Sequence, residues 1–223
     1  MLARILSVGL LAGVLAGTLA SVAQMLGVVP LILEAEVFEA ANQSEHAADG
    51  TTWSPEDGVE RTTYMVMASL LVGVGFGLLL VGTFVLAEMA GRSIDAFRGL
   101  LWGLAGFLVF ALVPWAGLPP ELPGTVAAKL SARQLWWIGT AVATALGLGL
   151  VVFGRAPWVK ALALPVIALP HLIGAPQPPE HGSSAPVELA REFVIASLAT
   201  TGLFWIALGT ASGWLYKRIV AHT

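Results

Sequence analysis

From Ile5 to Leu33 the chain carries no formal charge, and that run dictates the solvent in which the protein folds. A hydrocarbon core about 30 Å thick is crossed by about 20 apolar residues in a helix. The same pattern recurs at residues 64–87, 100–118, 135–153 and 193–216, with a shorter stretch at 161–173. The runs are continuous rather than alternating, which excludes the strands of a membrane barrel. With 57% hydrophobic and 11% charged residues, the chain lacks the polar surface of a soluble domain, which is nearer a quarter charged. The expected fold is all-α: one polytopic transmembrane helical bundle over residues 1–223, with six spans, or five if 161–173 lies at the surface.

The first run has a competing reading. Arg4, the apolar stretch and the small residues Ala20, Ser21 and Ala23 resemble a cleavable signal peptide. The run continues well past Ala23, longer than a signal core requires, which favours an uncleaved helix.

Orientation follows from the basic residues. With the N-terminus in the cytoplasm, Arg4, Arg92, Arg98, Arg155, Lys160, Lys217 and Arg218 fall inside. Arg61, Lys129, Arg133 and Arg191 fall outside. Both termini are then cytoplasmic. Of the 14 acidic residues only Glu88 and Asp95 are inside, and most of the rest crowd an outer loop at 34–61.

Small residues recur at four-residue spacing: Gly9, Gly13 and Gly17; Gly73 and Gly77; Gly99 and Gly103; Gly209 and Gly213. Such stripes let helix backbones approach closely in lipid. Gln24, a large amide within the first apolar run, calls for a polar partner or a water-filled cavity. Prolines 157, 165, 170, 176, 178 and 179 punctuate the fifth segment. Its apolar part, 161–173, makes only about 20 Å of helix. Interrupted backbone at membrane depth is tolerated where protein or a water-lined cavity covers it, and in transporters such segments flank substrate sites.

The chemistry-bearing residues gather where the first helix leaves the membrane. Glu34, Glu36 and Glu39 precede His46, and if the helix persists Glu36 and Glu39 share a face. Carboxylate and imidazole together suit divalent first-row metals, and an acidic mouth concentrates cations. A solvated acidic loop is the plain alternative. His171, beside Pro170, is a candidate ligand or proton carrier, or an interfacial histidine satisfied by water; His181 lies in the next loop. Met25, Met65 and Met67 read as packing, and Arg133 with Trp136 and Trp137 as interfacial anchors. Cysteine is absent, excluding disulfides and thiolate ligands. There is no phosphate loop, no dinucleotide fingerprint and no basic stripe for nucleic acid. HExxH-type spacings are missing too, and no permanently bound cofactor is expected.

Taken in order, Pro30 to Glu39, His46, Trp53 to Arg61, the Gly117–Gly124 turn, Arg133 to Trp137 and Pro170 to Pro176 resemble the CbtA family of predicted cobalt transporter subunits. The similarity covers essentially the whole chain. It implies a bacterial inner-membrane protein that moves cobalt(II) for cobalamin supply, and a small single-span B subunit with a histidine-rich tail. On that reading Glu34, Glu36, Glu39, His46 and His171 are the candidate metal ligands, and the chain is not an enzyme. The alternative is a non-transporting scaffold for the metal-binding partner.

Overall fold

The computed structural model describes residues 1–43, 55–178 and 182–220. Those residues are helical throughout, apart from turns and an isolated antiparallel bridge between Thr125 and Ser183. The elements are α1 (Leu2–Ala23), α2 (Val29–Gln43), α3 (Val59–Met89), α4 (Ala96–Phe107), α5 (Val113–Trp115), α6 (Leu130–Phe153), α7 (Pro157–Ala161), α8 (Ala163–Ile173) and α9 (Val187–Ile219). Among the described residues five helices are long and apolar enough to cross a membrane, and Pro157–Ile173 forms a shorter apolar one. Large side chains such as Leu15, Leu71 and Leu79 are more than half exposed, a surface that water does not tolerate at this density.

The helices outrun the apolar runs. Residues 34–43, expected as part of the outer loop, continue the first helix to Gln43. Glutamate, alanine and glutamine are good helix formers, so nothing in the sequence stops the helix where the hydrophobicity stops. At the far side of that loop, α3 begins at Val59 rather than Tyr64.

Two turns are widened to π geometry, Gln24–Val28 between α1 and α2 and Leu108–Leu112 between α4 and α5. Each ends just before a proline, Pro30 or Pro114. A proline lacks the N–H for the carbonyl four residues back and its ring clashes with it. The helix absorbs this by bonding Val29 N–H to the Gln24 carbonyl, and Val113 N–H to the Leu108 carbonyl, five residues back.

The chain divides into two compact units. The first comprises Met1–Val29, Ala48–Leu104 and Ala199–Thr223. Here α1 lies against α3 with Gly9, Gly13 and Gly17 facing Gly73, Gly77 and Ser69. A Cβ on Gly13 would sit 2.6 Å from the Cα of Val74. The start of α4 meets α9 in the same way, a Cβ on Gly99 lying 2.7 Å from the Cα of Gly213. All four glycine stripes read from spacing are therefore helix contacts. Gln24 also has its expected partner, Ser69 Oγ donating to Gln24 Oε1 at a long 3.4 Å. Phe76 packs on Trp205 at 4.9 Å between ring centroids, and Phe84 stands edge-on to Tyr216 at 5.6 Å.

Beside that last contact lies a part-buried polar one. Tyr216 is fully buried and its hydroxyl donates to Glu88 Oε2 at 2.8 Å, joining α9 to α3. Hydrogen bonds to a charged acceptor contribute about 1.5–3 kcal/mol. Tyr216→Phe, which keeps the ring packing, is expected to lower stability by about that amount in denaturant unfolding of the detergent-purified protein.

The second unit comprises Pro30–Ala47 and Ala105–Leu198. In it α6 packs on α8, with Gly147 against Ile167. The buried hydroxyls of Thr140 and Thr144 donate to the Trp136 and Thr140 carbonyls one turn back, so they need no partner from another helix.

Candidate functional site

The sequence placed its candidate ligands on the first helix, in the loop after it and beside the proline-rich segment. Because α2 persists to Gln43, Glu36 and Glu39 do lie on one side of it. Ala35 is fully buried, Glu36 and Glu39 are half-buried, and Glu34 points outward and is exposed. The face of α2 that carries Ala35 and Glu39 is turned into the protein, one helical turn apart.

Glu39 sits beside the turn at Gly124. Its Cβ and the Ser184 hydroxyl both lie within 3.3 Å of the point a Cβ on Gly124 would occupy. Gly124 has φ +74°, a left-handed conformation that favours glycine. Two backbone hydrogen bonds tie this turn to the segment before α9: Val126 N–H to the Gly182 carbonyl at 2.9 Å, and Ser184 N–H to the Gly124 carbonyl at 3.3 Å. The Ser184 hydroxyl is buried and has no hydrogen-bond partner among the described residues. Nearby in the chain, Arg133 pairs with Glu121 at 2.7 Å, fixing the Pro119–Gly124 turn to the start of α6.

The fifth segment is less broken than its prolines imply. Pro157 opens α7 at a position where its missing N–H costs nothing, and Pro165 lies in the first turn of α8. The interruption falls at Leu162, where Pro165 cannot bond the carbonyl of Ala161 four residues back. Even there, Leu162 N–H bonds to Trp158 and Val166 N–H to Leu162. Together α7 and α8 make about 25 Å of nearly continuous helix, longer than the stretch counted from residue 161. Gly174, at φ +94°, ends it.

His171 lies in the last turn of α8, half-buried and edge-on to Trp136 at 5.4 Å between centroids. The Trp136 indole N–H donates to the Pro170 carbonyl at 3.2 Å, and its ring packs against Gly117. Trp136, expected as an interfacial anchor, thus also holds the end of α8 within the protein. That role was invisible in the sequence, since it joins positions 34 residues apart.

Among the described residues no three histidine, aspartate or glutamate side chains converge on one point as ligands of an ion. His46 and His181 lie outside the described residues. Glu88 and Tyr216 were not expected as a pair. The one signal for them was an acidic residue near the end of an otherwise apolar run, which at membrane depth is a functional candidate by default.

No curated protein and no solved structure matches the chain. A family model described as "Probable cobalt transporter subunit (CbtA)" matches residues 2–217. That match takes in the five long apolar helices of the described residues, the last of them but for its two final residues, together with the acidic end of α2 and the α7–α8 segment. The chain is therefore a multi-pass membrane protein that belongs to the CbtA family of probable cobalt transporter subunits.

Proposed function

We propose that this chain is the conducting membrane component of a divalent-cation uptake system whose cargo is cobalt(II). The observation that carries the reading is the family match over residues 2–217. In the proposed topology both termini are cytoplasmic, the protein lies in a bacterial inner membrane, and α7–α8 completes a sixth span. Cobalt(II) is drawn to the acidic outer segment and captured by Glu34, Glu36, Glu39 and His46, then passes near His171. Oxygen and imidazole donors suit this borderline cation. Two half-buried carboxylates on one helix face support capture at Glu36 and Glu39. The metal is substrate rather than resident cofactor, so its ligands must also release it.

The proposed partner is a small single-span protein with a histidine-rich tail, delivering cobalt for cobalamin synthesis. The chain has no nucleotide-binding motif, so uptake draws on an ion gradient or a separate motor. Reconstitution tests this reading. Purified chain in liposomes, alone or with the partner, is expected to admit radiolabelled cobalt faster than empty vesicles. A chain that stabilises the partner yet adds no flux in either preparation is a scaffold, and the conducting role is then wrong.

A further inference from the structure

Glu88 is the second-last residue of α3, a helix apolar and long enough to cross a membrane, and its carboxylate is half-buried. Its one hydrogen-bond partner among the described residues is the neutral hydroxyl of Tyr216, at 2.8 Å. The charged groups on the elements around it are engaged elsewhere or exposed. On α9, Lys217 and Arg218 are exposed, with the Arg218 guanidinium 4.2 Å from the Trp214 ring centroid. On the α3–α4 connection, Arg92 has interactions of its own, Asp95 accepts the Arg98 backbone N–H, and the Arg98 side chain bonds Ser93. On α1, which packs on α3, Arg4 also has its own interactions, and the N-terminal residue is exposed. Among the described residues none of these cations forms an ion pair with Glu88.

Among the described residues no cation balances this carboxylate, and an ionisable side chain at the end of an apolar spanning helix is a functional candidate by default. One carboxylate and one phenol supply too few donors for a divalent ion, which takes four or more. They are enough for a proton. The Ser212 hydroxyl, fully buried and without a hydrogen-bond partner among the described residues, lies one turn before Tyr216 on the same face of α9. It offers a second polar group at this level of the helix pair.

We propose that Glu88 is a proton-carrying carboxylate that couples cation movement to a proton gradient, with Tyr216 as its positioning residue. The step rests on the transport reading above and supplies the energy source that the missing nucleotide motif leaves open. In each cycle one proton from water binds the carboxylate, forming an O–H bond and neutralising its charge. It is later returned to water. The Tyr216 hydroxyl keeps donating to Oε2 in both states, holding the group in place while the free oxygen exchanges.

The test is cobalt uptake by proteoliposomes holding the chain and its partner, with and without an imposed pH difference. The unaltered chain is expected to take up cobalt several-fold faster with the gradient. In Glu88→Gln the two rates become equal. The amide oxygen still accepts from Tyr216, so that variant is expected to keep its fold and to lose no more stability than Tyr216→Phe does. Should Glu88→Gln not accumulate, Tyr216→Phe carries the same comparison, and its response to the gradient is expected to fall toward none. A full gradient response in Glu88→Gln overturns the assignment and returns the pair to a purely structural role. So does an unaltered chain whose cobalt flux ignores the gradient, and in both cases the transport reading stands. Absence of cobalt flux altogether overturns both.

Discussion

Gly13→Leu is expected to leave no recoverable folded protein, and Gly13→Ala to lower stability by about 1–3 kcal/mol or more. The cause is local. An added Cβ at Gly13 meets the backbone of α3, 2.6 Å from the Cα of Val74 and 2.7 Å from the carbonyl carbon of Gly73. Backbone cannot rotate away as a side chain can, so the helices must separate along the whole Gly9–Gly17 stripe. Dispersion contacts hold such a pair together in lipid, and those fall away steeply with distance. Gly75 and Gly82, on the same α3, have nothing among the described residues within 4 Å of an added Cβ. There alanine is expected to be neutral or to stabilise by up to about 1 kcal/mol through helix propensity. The opposite signs at Gly13 and Gly75 are the check, read from unfolding of the purified protein in detergent. Equal effects at the two positions would mean that α1 and α3 do not meet along this stripe. Gly13 and Gly73 face each other, so their alanine variants are also expected to combine non-additively.

The second large effect is expected at the carboxylates of α2. Cobalt uptake should fall on the order of tenfold or more when Glu36 and Glu39 both become alanine, since even outer-shell changes around bound metals cost 10–100-fold. Both side chains are half-buried on one side of α2, where a charge lost is not replaced by water. Glu34 is exposed, and in the proposed pathway its part is mainly to raise the local cation concentration. Its alanine variant should lose less, and the loss should shrink in high salt as the field is screened. Wild-type uptake in the Glu36, Glu39 double variant, at normal expression, would remove these two residues from the pathway.

The two sets of variants probe links of different kinds. The glycine stripe was legible because close backbone approach demands small residues at a fixed spacing, and spacing is a property of the chain alone. The shared face of Glu36 and Glu39 was legible only conditionally, on the helix running past Leu33, which it does as far as Gln43. Hydropathy marks where lipid ends, whereas a helix ends where capping or chain geometry stops it, so the loop came out shorter than expected. The π turns before Pro30 and Pro114 went unread because proline marks a disturbance without saying how the helix will absorb it. A kink, a break or a wider turn all relieve the same clash. The same ambiguity made the Ala161–Ile173 segment look more broken than it is.

An uncharged run from Ile5 to Leu33 and its successors determined, without any coordinates, that this protein is a helical bundle for a membrane. No other fold satisfies the backbone of such runs in hydrocarbon. Tertiary structure alone decided which polar groups meet. The hydroxyl of Tyr216 finds Glu88 across 128 residues of sequence, and the Trp136 indole finds the Pro170 carbonyl across 34. Such pairs leave no periodic trace, because each is set by how two helices rotate and slide against each other. Side-chain packing fixes that rotation, and packing exists only once the helices have assembled.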